Sequence, residues 1–150
     1  MARLLNVHSW NVQGLGEANK RYAVMRALKA IPDFIICLQE THMTTETVHL
    51  LNRSWIGMAY HSYFTASSRG VSVLIHKNVP FRCSRTLIDS EGRFVCLAGT
   101  IYQTDICIAA IYVPPSYNAG IIKTVLSFVM TDPNVPVLLI GDYNLVTGTP

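Results

Sequence analysis

No stretch of the 150-residue sequence approaches the apolar length of a membrane span. The opening Met-Ala-Arg-Leu-Leu-Asn also lacks the long apolar region and cleavage site of a signal peptide. The expectation is a soluble intracellular protein. Its four cysteines, Cys37, Cys83, Cys96 and Cys107, lie inside apolar segments at no metal-ligand spacing, which argues for buried reduced thiols over zinc or disulfides. No internal repeat, linker or low-complexity segment is visible, so residues 1–150 read as one domain. Basic clusters are also lacking: Lys20-Arg21, Arg26 with Lys29 and Arg82 with Arg85 come nearest. A formal net charge of +3 agrees with a polyanionic partner without demanding one, and a phosphate-tracking surface would have to be assembled by folding.

What the sequence does have is apolar material, half of its residues, enough for a sizeable core. The segment Asp33 to His42 is the centre of the pattern. Phe34, Ile35, Ile36, Cys37 and Leu38 have no polar face, as in a strand covered on both sides, and the run ends in a carboxylate, Glu40. A charge at the rim of a core needs a cation, a hydrogen-bond donor or water, so Glu40 is either a functional group or an ordinary strand-end residue. Before it, Leu4 to Gln13 reads as a strand running into a glycine turn. Glu17 to Ile31 carries helical spacing at Val24, Leu28 and Ile31 and is stopped by Pro32. Strand, helix and strand with short links form a crossover unit, whose right-handed closure brings Asn11 and Glu40 to one edge.

Thr44 or Thr45 is expected to cap a short helix through Asn52, with Val48 and Leu51 inward, before a strand after Trp55-Ile56-Gly57. Beyond Gly70, Val71, Val73 and Ile75 alternate, Pro80 breaks the run, and Arg82 to Asp89 turns at Ser90-Glu91-Gly92. Phe94 to Tyr102 and Ile106 to Val113 follow, joined through Gln103-Thr104-Asp105. Links this short permit only antiparallel neighbours, so the section reads as a meander. Asn118 opens a helix with Ile121, Val125, Phe128 and Val129 on one face. Val135 to Ile140 is then a last buried strand delivering Gly141-Asp142-Tyr143-Asn144.

Three strands therefore end in polar groups: Asn11, Glu40, and Asp142 with Asn144. Oxygen ligands of this kind suit magnesium or manganese, which keep several waters and leave room for a phosphate. The chemistry that fits is metal-assisted phosphoester hydrolysis, with amides holding a phosphate oxygen or a water and Tyr112 as a further donor. Each residue also has a plain structural reading as a turn or strand-end group.

In combination, Ser-Trp-Asn-Val-Gln-Gly at 9–14, Leu-Gln-Glu-Thr-His at 38–42, Ser-Arg-Gly-Val at 68–71, Ile-Tyr-Val-Pro-Pro at 111–115 and Gly-Asp-Tyr-Asn at 141–144 resemble the ordered motifs of the endonuclease/exonuclease/phosphatase superfamily. Within it, the chain most resembles the apurinic-endonuclease-like domains, related to exonuclease III, that open the polyprotein of non-LTR (LINE-type) retrotransposons. The resemblance implies an α/β fold, two mixed β-sheets sandwiched between helices in a DNase-I-like four-layer sandwich, with the C-terminal part missing. It implies that Glu40 is the principal metal ligand, for Mg2+ or Mn2+, and that Asn11 assists. Tyr112 would contact the scissile phosphate, and Asp142 and Asn144 would orient the attacking water. Arg69, Asn11 and Asn118 would face substrate, Asn118 standing near Pro115, where nuclease relatives commonly carry Asn.

The implied partner is DNA, in the nucleus, with a reverse-transcriptase region following in the full-length protein. Two late motifs of the family, one with an Asp and the last a Ser-Asp-His, would lie beyond Pro150. His8, His42, His49, His61 and His76 all lie outside that motif. The isolated chain is therefore expected to be weakly active or inactive. The alternatives are a non-catalytic retroelement remnant or DNA-binding module, and a phosphoinositide or sphingomyelin phosphoesterase of the same superfamily.

Overall fold

The computed structural model describes residues 4–32, 34–115 and 119–144. Two four-stranded sheets stack face to face. The first has the order β1-β2-β4-β3, from β1 (Asn6–Asn11), β2 (Phe34–Gln39), β3 (Gly57–Ser62) and β4 (Val71–His76). The second has the order β5-β6-β7-β8, from β5 (Phe81–Ile88), β6 (Phe94–Ile101), β7 (Thr104–Tyr112) and β8 (Val137–Asp142). Helices α1 (Ala18–Lys29) and α2 (Val48–Asn52) cover the outside of the first sheet, and α3 (Ala119–Val129) covers the second. This is the four-layer α/β sandwich that the motifs implied.

Alternation along the strands sorts the core into three layers. Ile35, Cys37, Val73, Ile75, Val95, Leu97, Ile108 and Ala110 fill the space between the sheets. Phe34, Ile36, Leu38 and Leu74 face the other way, onto Val24, Met25 and Leu28 of α1 and Leu51 of α2. Every residue of β2 is buried, as its unbroken apolar run indicates. The unit β1–α1–β2 is the expected parallel crossover, with Asn11 in register with Gln39. Lys20 and Arg21, which looked like a basic cluster, donate to the carbonyls of Gln13, Leu15 and Gly16 and so hold the glycine turn.

Several sequence expectations need correction. The short helix starts later than Thr44 or Thr45: its N-cap is Thr47, which makes no side-chain cap bond to the helix. Instead the Thr47 hydroxyl accepts from the Thr44 backbone N–H at 2.9 Å, folding 44–47 into a turn. The hairpin linking β6 and β7 is tighter than read, with only Tyr102 and Gln103 in the turn, at φ of 49° and 68°. Those paired positive values are the two-residue turn whose twist matches the strands, reached here without the usual Asn-Gly. The meander holds for β5, β6 and β7, but β4 lies in the other sheet, so Pro80 marks a crossing between layers. β8 is also not a buried strand: among the described residues it pairs only with β7, and Val137 and Leu139 are exposed. The thiols of Cys37, Cys96 and Cys107 are buried and free; Cys83, on edge strand β5, is free but only half-buried.

His61 sits on β3 opposite Ser72 of β4, where Nδ1 pairs with the Ser72 hydroxyl at 2.7 Å and Nε2 with Asn52 Oδ1 of α2 at 2.8 Å. Burial pushes its imidazolium pKa down from 6.5 to about 4. Between those values the unfolded chain binds a proton that the folded chain refuses, so folding stability rises with pH across this window. As pH falls from 6.5 through 4, on the order of 3 kcal/mol is expected to be lost at this residue. Urea melts at pH 7 and pH 4.5 check it: His61→Gln should show a smaller acid loss than the parent chain, and equal losses would contradict it.

Candidate active site

The C-terminal ends of β1, β2, β7 and β8 meet at one edge of the sandwich. β1 and β2 are parallel neighbours in one sheet and β7 and β8 in the other, and side chains at or just past their ends bond to one another across the two sheets. Asn11 closes β1. Its amide Nδ2 donates to Glu40 Oε2 at 2.6 Å and to Asp142 Oδ2 at 3.0 Å, the second contact reaching 131 positions along the chain. Its Oδ1 accepts from the backbone N–H of Gln13 at 3.1 Å, fixing which way the amide faces. The Tyr112 hydroxyl, from the end of β7, donates to Glu40 Oε1 at 3.3 Å. Asn144 follows β8, with its backbone N–H on Asp142 Oδ1 at 3.2 Å and its amide on the Val113 carbonyl at 2.8 Å.

The backbone around this edge is unusual. Glu40, His42, Arg69 and Asn144 all have φ between 43° and 60°, a left-handed conformation that non-glycine residues take at a cost of about 1 kcal/mol or more. At Glu40 this ends the strand alternation. Gln39 faces Ser9 and Cys37, and the change of φ one residue later turns the carboxylate toward Asn11. The turns interlock: Gly14 N–H donates to the Glu40 carbonyl at 2.7 Å, Leu15 N–H to Thr41, Thr41 N–H to Gly70 and His42 N–H to Arg69. Gly14 is needed there, because at its φ of 91° a Cβ would come within 2.7 Å of the His42 ring.

Two carboxylates therefore share one neutral amide, and among the described residues neither forms an ion pair. Burial first, then the Glu40 carboxylate, raises the pKa of Tyr112, while Arg69 opposes the rise. Tyr112 thus stays a hydroxyl donor through the neutral range. Among the described residues, no three or more His, Cys, Asp or Glu side chains are placed so that together they could hold a metal ion. Two carboxylates suit a magnesium-type cation that retains its waters and suit a soft transition metal poorly, while the Asn11 amide presents its NH2 to them and steadies both.

The sequence matches the Endonuclease/Exonuclease/phosphatase family over residues 8–149. The chain belongs to that family. Among solved structures, truncated Caenorhabditis elegans TDP2 superposes with a TM-score of 0.65 at 18% identity, covering 96% of this chain and 65% of that one. D. rerio TDP2 complexed with single-strand DNA product gives 0.67 at 19% identity, over 92% and 60%. The endonuclease domain of TRAS1, a telomere-specific non-LTR retrotransposon, gives 0.61 at 14% identity, over 93% and 60%. Identities this low show a common fold. The chain spans less than two thirds of the length of each of these three.

In this endonuclease/exonuclease/phosphatase chain, folding gathers Asn11, Glu40, Tyr112 and Asp142 within hydrogen-bonding reach of one another, with Asn144 beside them. Arg69 stands close enough to act on the Tyr112 phenol, but its guanidinium lies over the Phe64 ring, 4.5 Å from the centroid. Asn118 lies outside the described residues. Sequence reasoning passed over Gln39, whose fully buried amide bonds Ser9 Oγ at 2.9 Å and the Cys37 carbonyl at 3.0 Å and ties β1 to β2 behind the site. A lone polar residue closing an apolar run was the available signal. Phe64 was also passed over, because a single aromatic among Thr, Ala and Ser has no periodic signature.

Proposed function

We propose that this chain is a magnesium-dependent phosphodiester hydrolase acting on DNA, of the apurinic or exonuclease III-like kind, with Mn2+ as a substitute ion. The convergence of Glu40 and Asp142 on the Asn11 amide, with the Tyr112 hydroxyl on the same carboxylate, carries this reading. Glu40 would hold the ion with help from Asn11, and the ion would supply charge neutralisation at the phosphate. Tyr112 would donate to a phosphate oxygen. Asp142, steadied by the Asn144 backbone, would accept a hydrogen bond from the attacking water and orient it. DNA as substrate draws support from the two relatives above whose names carry DNA or a retrotransposon. The nuclear setting and a following reverse-transcriptase region belong to the same reading.

One observation favours a second reading, a DNA-binding module without turnover. No histidine among the described residues hydrogen-bonds to Glu40 or Asp142, which leaves proton transfer to the leaving group without an evident donor. Incubating the purified chain with supercoiled plasmid and with an abasic-site duplex, with Mg2+ or with EDTA, tests both. The expected result is slow metal-dependent nicking that is absent with EDTA. Binding without nicking would favour the module. Release of phosphate from phosphoinositides with intact DNA would overturn both.

A further inference from the structure

A groove of about 950 Å³ opens beside the candidate active site, walled by Thr44 and Thr45, by Tyr63 and Phe64, and by Ile88 and Ser90. Its lining holds none of the site residues, but two loops connect it to the site. Thr44 follows Glu40 along the same loop, and the segment from Phe64 to Gly70 is bonded to Thr41 and His42. Phe64, which lines this groove, is 37% exposed. Arg69 covers it, Thr65 bridges to Ser68, and Arg69 reaches the Glu91 carbonyl at 3.4 Å. From below, Gly92 packs so closely that a Cβ there would stand 2.8 Å from Phe64 Cβ and 2.7 Å from Gly70 N. Behind it, the Ser62 hydroxyl donates to the Asp89 carbonyl at 2.6 Å, and Tyr63 stacks on His61 with centroids 5.8 Å apart.

An aromatic with one face under an arginine and its exposed part lining an open groove has the chemistry of a base-stacking platform. We infer that Phe64, with Tyr63 beside it, stacks an unpaired base of a single-stranded polynucleotide whose phosphate lies toward Arg69 and the Glu40 edge. A base fits better than a second phosphate. Asp89 is neutralised by Arg93 at 2.7 and 3.0 Å, but Glu46, on the far wall, has no basic partner among the described residues. The backbone would therefore track the Arg69 side. Bases of any identity would be accepted, since stacking reads the ring face.

This inference rests on the proposed phosphodiester site, so its test is separate from hydrolysis. The purified chain is titrated in EDTA against an oligonucleotide of about ten nucleotides containing 2-aminopurine, single-stranded and as a duplex. The single strand is expected to bind more tightly than the duplex and to quench the probe. Phe64→Ala should weaken single-strand binding by about tenfold and remove the quench, and Phe64→Trp should retain both. Glu46→Lys should tighten binding by about threefold at low salt, a gain that misfolding cannot mimic. Unchanged affinity in Phe64→Ala, or equal affinity for duplex and single strand, would overturn the platform. A Mn2+ titration of the Phe64→Ala chain should match the parent, so loss of the platform and loss of the metal site are read independently.

Discussion

Glu40→Gln is expected to weaken Mn2+ binding by at least about tenfold and to lower metal-dependent DNA cleavage by about two to three orders of magnitude, in the range found when a group stabilising developing charge is removed. The substitution is nearly isosteric. Gln can still accept from Asn11 through its Oε1 and turn its NH2 toward the Tyr112 hydroxyl oxygen, which can accept; these groups now approach Glu40 at 2.6 and 3.3 Å. The charge is lost, and with it the attraction for a cation. Stability should hold or rise, because Asp142 no longer faces a second carboxylate across one amide. Paramagnetic resonance of bound Mn2+ and a thermal melt together decide the matter. An unchanged Mn2+ affinity would remove Glu40 from the metal site, and a large fall in melting temperature would make its charge structural.

The second large effect is expected from Gly141→Ala. Gly141 is in register with Ile111 on β7 and has φ of 153°; a Cβ there would stand 1.8 Å from the Ile111 carbonyl oxygen. That oxygen belongs to the backbone of a central strand and cannot move aside. The β7–β8 ladder must open, at a cost of about 3 kcal/mol or more, or roughly 10 °C in melting temperature. The next pair in the register is Tyr112 with Asp142, so the site should lose Mn2+ affinity as well. Gly16→Ala is the control, since nothing lies within 4 Å of a Cβ at that position. If the two variants melt together, the close approach at Gly141 has been overstated.

Much of this architecture was legible before the fold was known, for reasons that differ from residue to residue. The crossover β1–α1–β2 was readable because an apolar run, a helical spacing and Pro32 are local signals, and handedness then fixes Asn11 beside Glu40. The crossing of β4 and β5 into different sheets was not, because Pro80 breaks a strand in the same way whether the chain turns within a sheet or leaves it. The exposure of β8 was not legible either: Val137, Leu138, Leu139 and Ile140 read as buried on composition, and burial depends on which strands stand beside them. At the site, Asn11, Glu40, Tyr112, Asp142 and Asn144 were each ambiguous alone and became specific through their order along the chain. Left-handed φ at Glu40, which aims the carboxylate, leaves no trace in residue type, since a glutamate is a poor candidate for that conformation. The Phe64 platform depends on Gly92 and Arg69, both brought to it by folding.

The flank formed by β1 and β8 differs from the opposite one. On the far side, β5 is guarded by Arg82, Arg85 and a bulge between Cys83 and Arg85, the features that discourage strand addition. On the near side, β1 and β8 each have one strand neighbour among the described residues and present Val7 and Leu139 with no charged side chain between Asn6 and Trp10 or between Val137 and Gly141. The remaining edge, β3, likewise has one strand neighbour and no acidic or basic side chain from Gly57 to Tyr60, so among the described residues β5 alone carries a guard against strand addition.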